Sequence, residues 1–184
     1  MGILSWLTTV VDRLVPVLLA VAIVGFVVLA WRLLRQPAGH AVDETLRDLA
    51  LAAAAAVVLA FTLFTASRFG GEGQVRLVPF VDLVAALAGR GSLRVVLAEA
   101  VGNLLLFIPL GLALRWRFPA LGLVGVTGVG LASSIAIEVL QGVLAGGRWT
   151  DSTDVIMNTL GGAIGALAAG IGLTRASGGR TARR

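Results

Sequence analysis

The sequence predicts an all-α polytopic membrane protein, a bundle of about five transmembrane helices forming one domain over residues 1–184. Three observations predict it. Hydrophobic residues make up 58% of the chain and charged ones 14%, whereas a soluble domain carries about 45–50% and roughly 25%. Uncharged runs fill Leu14–Trp31, Leu49–Ser67, Phe118–Ile137 and Val155–Thr174, close to the about 20 residues a helix needs to cross roughly 30 Å of hydrocarbon. Finally, Trp6, Trp31, Trp116 and Trp149 all sit near the ends of these runs, where an amphipathic ring suits the headgroup level.

The first span is expected at 14–34. Its leader, Met1–Arg13, has no positive excess because Asp12 offsets Arg13, so it does not read as a cleaved signal peptide. Ile3, Leu4, Leu7, Val10, Val11 and Leu14 share one helical face opposite Ser5, Thr8 and Asp12, which favours a leader lying in the interface over one that lengthens the first helix. The second span is expected at 49–67. A third, at 95–114, extends the short run Ala100–Leu114 by placing Glu99 one turn inside the end. The fourth, at 118–145, continues past Glu138 and so holds a buried acid. The fifth runs from 155 to 174 and is followed by a flexible basic tail at 175–184. None of these segments alternates as a barrel strand would.

Net charge is +5 and all 15 basic residues are Arg. With the amino terminus outside, nine Arg fall on the cytoplasmic side and six outside. The bias places the carboxyl terminus in the cytoplasm. The basic excess is then a topology determinant, and nucleic acid is not an expected partner. Cys is absent, which excludes disulfides and thiolate metal sites. Small residues at Gly161, Gly162, Gly165, Ala166 and Gly170, and at Gly122, Gly125 and Gly128, fit close helix packing, within the bundle or in a homo-oligomer.

The informative residues are the polar ones inside the spans. Ser134, Glu138 and Gln141 share one face of the fourth helix, with Glu138 roughly 10 Å from its end. Asp151, Asp154 and Asn158 share a face of the fifth if it begins near Thr150, which would be its N-cap. Asn103 lies roughly 12 Å into the third. Because spans alternate in direction, Asn103, Glu138, Gln141 and Asn158 fall in one half of the bilayer. Arg148, Asp151 and Asp154 cap that half, and the stretch Val75–Ala88 is placed to cover it as a short helix or re-entrant lid. Intramembrane ionisable residues point to a site; interhelical hydrogen bonds holding three helices in register are the alternative. Pro109 is expected to kink the third span.

These residues resemble the VanZ-like family of small bacterial membrane proteins. The third helix reads Asn103-Leu-Leu-Leu-Phe107-Ile-Pro109-Leu-Gly111, similar to the family's Asn-x-x-Leu-Phe-x-Pro-x-Gly stretch. Glu138-x-x-Gln141 and Arg148-x-x-Asp151-x-x-Asp154-x-x-x-Asn158-x-x-Gly161 match two further motifs, and Arg76-Leu-Val-Pro79-Phe80 resembles the Pro-Phe element that precedes them. The resemblance covers about residues 75–170. An Asp-Lys-x-x-His stretch of some members has no counterpart here, where His40 stands in the first loop.

The resemblance implies a cell-envelope membrane protein associated with glycopeptide resistance, particularly to teicoplanin, without implying a mechanism. The leading expectation is a non-enzymatic pocket in the outer leaflet, formed by Asn103, Glu138, Gln141, Arg148, Asp151, Asp154 and Asn158. Its ligand is expected to be a membrane lipid or lipid-linked envelope component, with no cofactor and no metal. Two alternatives stand beside it. One is an intramembrane enzyme on a lipid-linked phosphate or ester, using Glu138 or Asp154 as base, Arg148 as clamp, and at most a metal on Glu138, Asp151 and Asp154. The other is a small proton-coupled transporter titrating at Glu138.

Overall fold

The computed structural model describes residues 3–64, 75–144 and 150–181. Five helices are long and apolar enough to cross a membrane. They are α1 (Ile3–Leu33), α2 (Ala38–Phe64), α4 (Leu93–Arg117), α5 (Gly122–Leu144) and α6 (Ser152–Thr181), with a short α3 (Val81–Leu87) between the second and third spans. The chain is thus an all-α, multi-pass membrane protein. Its span-bearing faces carry large exposed side chains such as Leu19, Ile23, Phe26, Val124 and Ile171. In water so much exposed apolar surface would mark an interface or an aggregation hazard, whereas in a bilayer it meets hydrocarbon.

Helix α1 corrects one expectation. It starts at Ile3 and runs without interruption for 31 residues, about 46 Å at 1.5 Å per residue. The leader therefore lengthens the first helix and does not form a separate interfacial one. Pro16 lies inside α1 and Pro109 inside α4, and neither ends its helix. A left-out amide is tolerable where the next residues resume the hydrogen-bond ladder. Helix α6 begins at Ser152, earlier than expected, and extends to Thr181. Between α4 and α5, Pro119–Leu121 forms a single 3₁₀ turn.

The core is assembled mainly by α4 and α6, with Val58 of α2 and Val126 and Ile137 of α5 packed against Phe107, Leu110, Leu114 and Ala166. Three glycines make the α4–α6 contact possible. A Cβ at Gly111 would collide with the Gly162 carbonyl, one at Gly161 with the Leu104 carbonyl, and one at Gly165 with the Ile108 carbonyl. Backbone thus touches backbone, as expected where lipid supplies no hydrophobic drive and dispersion must hold helices together. Helix α1 is peripheral. It packs on α2, where the Leu49 side chain fills the space beside Gly25.

One feature had no sequence signal. Val75–Arg76 (β1) and Thr150–Asp151 (β2) pair in parallel, with Val75 opposite Thr150 and Arg76 opposite Asp151. This two-residue pairing ties the segment before α3 to the start of α6.

Candidate functional site

Asn103, Phe107 and Gly111 follow one another at intervals of four and so share the α4 face turned to α6. Gly111 and Gly161 bring the backbones together, Phe107 is fully buried beside Gly161, and the Asn103 amide donates a 2.6 Å hydrogen bond to Asp154 Oδ1. The Asn-x-x-x-Phe-x-x-x-Gly spacing is therefore one seam with a polar end.

Glu138 comes to the same end from α5. It is 4% exposed, and its Oε2 accepts a 3.2 Å hydrogen bond from the Asp151 backbone N–H. Asp151 in turn accepts from the Thr153 N–H at 2.7 Å, the geometry of an N-cap. Asp151, the second residue of β2, is therefore the cap of α6, and Thr150, expected in that role, lies one residue before it. The carboxylates of Glu138, Asp151 and Asp154 all come near the amino-terminal end of α6, where the helix dipole favours negative charge.

Deeper in the bundle, Asn158 donates to Ser134 Oγ at 2.9 Å, joining α6 to α5. Both residues are buried, and Asn158 Oδ1 has no hydrogen-bond partner. Gln141 turns the other way. Its Nε2 donates to the Thr62 backbone oxygen at 2.8 Å, while the Thr62 hydroxyl folds back and donates to Val58 O at 2.7 Å. Gln141 thus links α5 to α2, and its Oε1 is buried without a partner. The structure accordingly brings Asn103 to Asp154, and Glu138 to Asp151, while Asn158 and Gln141 bond to Ser134 and Thr62. Arg148 lies outside the described residues.

Thr62 and Thr153 were missed by sequence reasoning, since a lone Thr in an apolar helix or a turn carries no distinguishing pattern. Thr153 Oγ1 accepts from the Phe80 N–H at 2.9 Å, tying the segment ahead of α3 to the first turn of α6, and Arg76 of that segment pairs with Asp82 of α3. Among the described residues no three His, Asp or Glu side chains are grouped to hold a metal ion.

A second polar cluster occupies the opposite end. Asp48 of α2 accepts from Arg32 of α1 at 2.7 Å and from Arg117 of α4. Arg32 also donates to Thr45 Oγ1 at 3.1 Å, and Arg47 donates to the Trp116 carbonyl at 3.2 Å. Apolar grooves also open on the surface of the described residues. One of about 310 Å³ lies between α2, α4 and α5 beside Val58, Leu110 and Ile137. Another, of about 330 Å³, lies between α1 and α2 and reaches Thr45 and Asp48.

Comparison with known proteins places these features in a family. The VanZ/LLP1 family model matches residues 50–173, which takes in the whole polar cluster, the glycine seam and most of α2. Protein VanZ of Enterococcus faecium is 40% identical over 67 residues, a stretch covering 36% of this chain and 41% of that relative. No solved structure matches the chain. Because the family model spans more than half of the chain and takes in both the α4–α6 seam and the α5–α6 junction, this multi-pass membrane helix bundle belongs to the VanZ/LLP1 family.

Proposed function

We propose that the chain is a non-enzymatic cell-envelope protein whose polar cluster binds a lipid headgroup or lipid-linked envelope component and so lowers susceptibility to a lipophilic glycopeptide such as teicoplanin. The observation that carries this reading is Glu138. A carboxylate 4% exposed inside a membrane-spanning helix is costly, and such residues usually mark a site. It is held by the amide of the residue that caps α6, at the end of the bundle where the Asn103–Asp154 pair also lies.

In this reading Arg148 is the anion ligand, its planar fork matching phosphate or carboxylate. Asn103 and Asp154 position the α6 entrance, Asn158 presents a buried acceptor, and Gln141 braces α5, which carries Glu138, against α2. The amino terminus and the cluster face outward, and the carboxyl terminus faces the cytoplasm. Any self-association runs through glycines open on α5 and α6, such as Gly128 and Gly170, because Gly161 and Gly165 are covered by α4 of the same chain.

The test is expression in a teicoplanin-susceptible host. Wild type raises the inhibitory concentration, and Glu138→Gln and Arg148→Ala abolish the increase while membrane levels stay normal. Full protection by both variants would overturn the reading. The lipid retained after gentle extraction, identified by mass for wild type and Arg148→Ala, then names the ligand.

A further inference from the structure

The segment from Leu77 to Leu87 exposes more apolar surface than its position in a connection explains. Leu77 is 79% exposed, Val78 66%, Val84 62% and Leu87 68%. Val84 and Leu87, three residues apart, share one face of α3, with Phe80 37% exposed at its N-cap, while Ala86 on another face is buried. The segment joins the end of one span, α2, to the start of the next, α4, so it lies at the level of one membrane boundary. Beyond its apolar face the chain carries Arg90 and Arg94, both exposed, which suits anionic headgroups at that boundary.

Its attachment is directional. The β1–β2 pairing holds Arg76 opposite Asp151, and the Phe80 N–H is bonded to Thr153 Oγ1. Phe80 itself adopts a left-handed backbone with φ 60°, an unfavourable conformation for a residue with a Cβ. These ties hold the chain ahead of α3 against the start of α6 and turn it at Phe80 into α3, whose apolar side chains remain exposed.

We propose that residues 77–87 are an interfacial anchor, inserted into the headgroup–acyl boundary of the leaflet that carries the polar cluster. Leu77, Val78, Val84 and Leu87 sit among acyl chains, and Arg90 and Arg94 stand at the phosphates. The partner is a lipid surface. Where the cluster is the ligand site proposed above, its mouth is bordered by lipid on this side. The ligand then arrives laterally from the leaflet and not from water. That second step rests on the proposed function, whereas the anchoring does not.

The absence of Cys makes the test direct. Single Cys residues at Leu77, Val84 and Leu87, and at Gly39 in the loop end of α2 as a water reference, are labelled with a nitroxide. The protein is then placed in vesicles of phosphatidylethanolamine and phosphatidylglycerol. The three segment labels should relax more strongly with oxygen, which concentrates in lipid, than with a water-soluble nickel chelate, and the Gly39 label the reverse. Nickel dominance at all three segment positions overturns the anchor, as does shielding from both reagents, which would mean a protein partner or a second copy. An exposed segment with intact Glu138-dependent protection removes the anchor and leaves the site. An embedded segment with protection indifferent to Glu138 does the opposite.

Discussion

The Asn103 side chain, about 15 Å from the start of α4 by helical rise, donates its hydrogen bond to Asp154 in the first turn of α6. The bond therefore crosses the tightest interface of the bundle at its polar end. Charge on the acceptor shortens and strengthens it. Interhelical hydrogen bonds in membranes are nonetheless modest, because the separated helices find other partners. A double-mutant cycle with Asn103→Ala and Asp154→Ala, read by reversible unfolding in bicelles, should give a coupling of about 1 kcal/mol. Additive single effects would show that the contact contributes nothing.

The glycine seam should be far less forgiving. Gly161→Leu and Gly165→Val each drive a side chain into an α4 carbonyl, and neither helix backbone can yield locally. Each is expected to cost about 4 kcal/mol or more and to remove the protein from membranes in a fractionation blot. Gly102→Ala is the control on the same helix as Gly111. A Cβ there meets nothing within 4 Å, so it should be neutral or stabilising by up to about 1 kcal/mol.

The ion cluster at the opposite end predicts a stability effect separable from function. Asp48→Asn leaves Arg32 and Arg117 without their shared carboxylate and loosens the peripheral α1. The melting temperature in detergent should fall by about 2–4 °C, with a smaller difference at high salt, which screens partly exposed pairs. Antibiotic susceptibility should not change. A loss of protection at normal membrane levels would bring this cluster into the functional mechanism.

Orientation can be read from two cysteines. Ser92→Cys and Gly39→Cys lie at opposite ends of the bundle, and both positions are exposed. In intact cells a membrane-impermeant maleimide should label Ser92→Cys and spare Gly39→Cys until the membrane is permeabilised. The reverse pattern would put the polar cluster in the cytoplasm.

Much of this arrangement was legible because charge is so scarce. Glu138 stands out as an acid within a long apolar run, and alternation of the spans was enough to put Asn103 and Asn158 in its half of the bilayer. Contacts between distant segments were not legible. Nothing in the sequence pairs Arg32 or Arg117 with Asp48, and both arginines read simply as positive charge at span ends. Gln141 was visible as a costly residue, but its partner is a backbone carbonyl of α2, and carbonyls carry no residue-type signal. The leader was misread because its amphipathic face suits an interfacial helix and an extended first helix equally well. Periodicity describes a face and says nothing of what meets it. Asp151 was recognised as an acid near a helix start, but its part as the cap depended on a boundary that composition fixes only to within a few residues.

Backbone packed on backbone also has a mechanical consequence. Ridges of side chains can slip by a turn and find new grooves, but glycines lodged against carbonyls offer no second resting place. Asn103 on α4 and Asp154 and Asn158 on α6 must then travel together as one rigid block. If binding reshapes this end of the molecule, the movement falls to α5, bearing Glu138 and Gln141, and to the strap ahead of α3. At this end both are tied to that block by hydrogen bonds, through the Asp151 and Phe80 amides and through Asn158, that can be exchanged for those of a ligand.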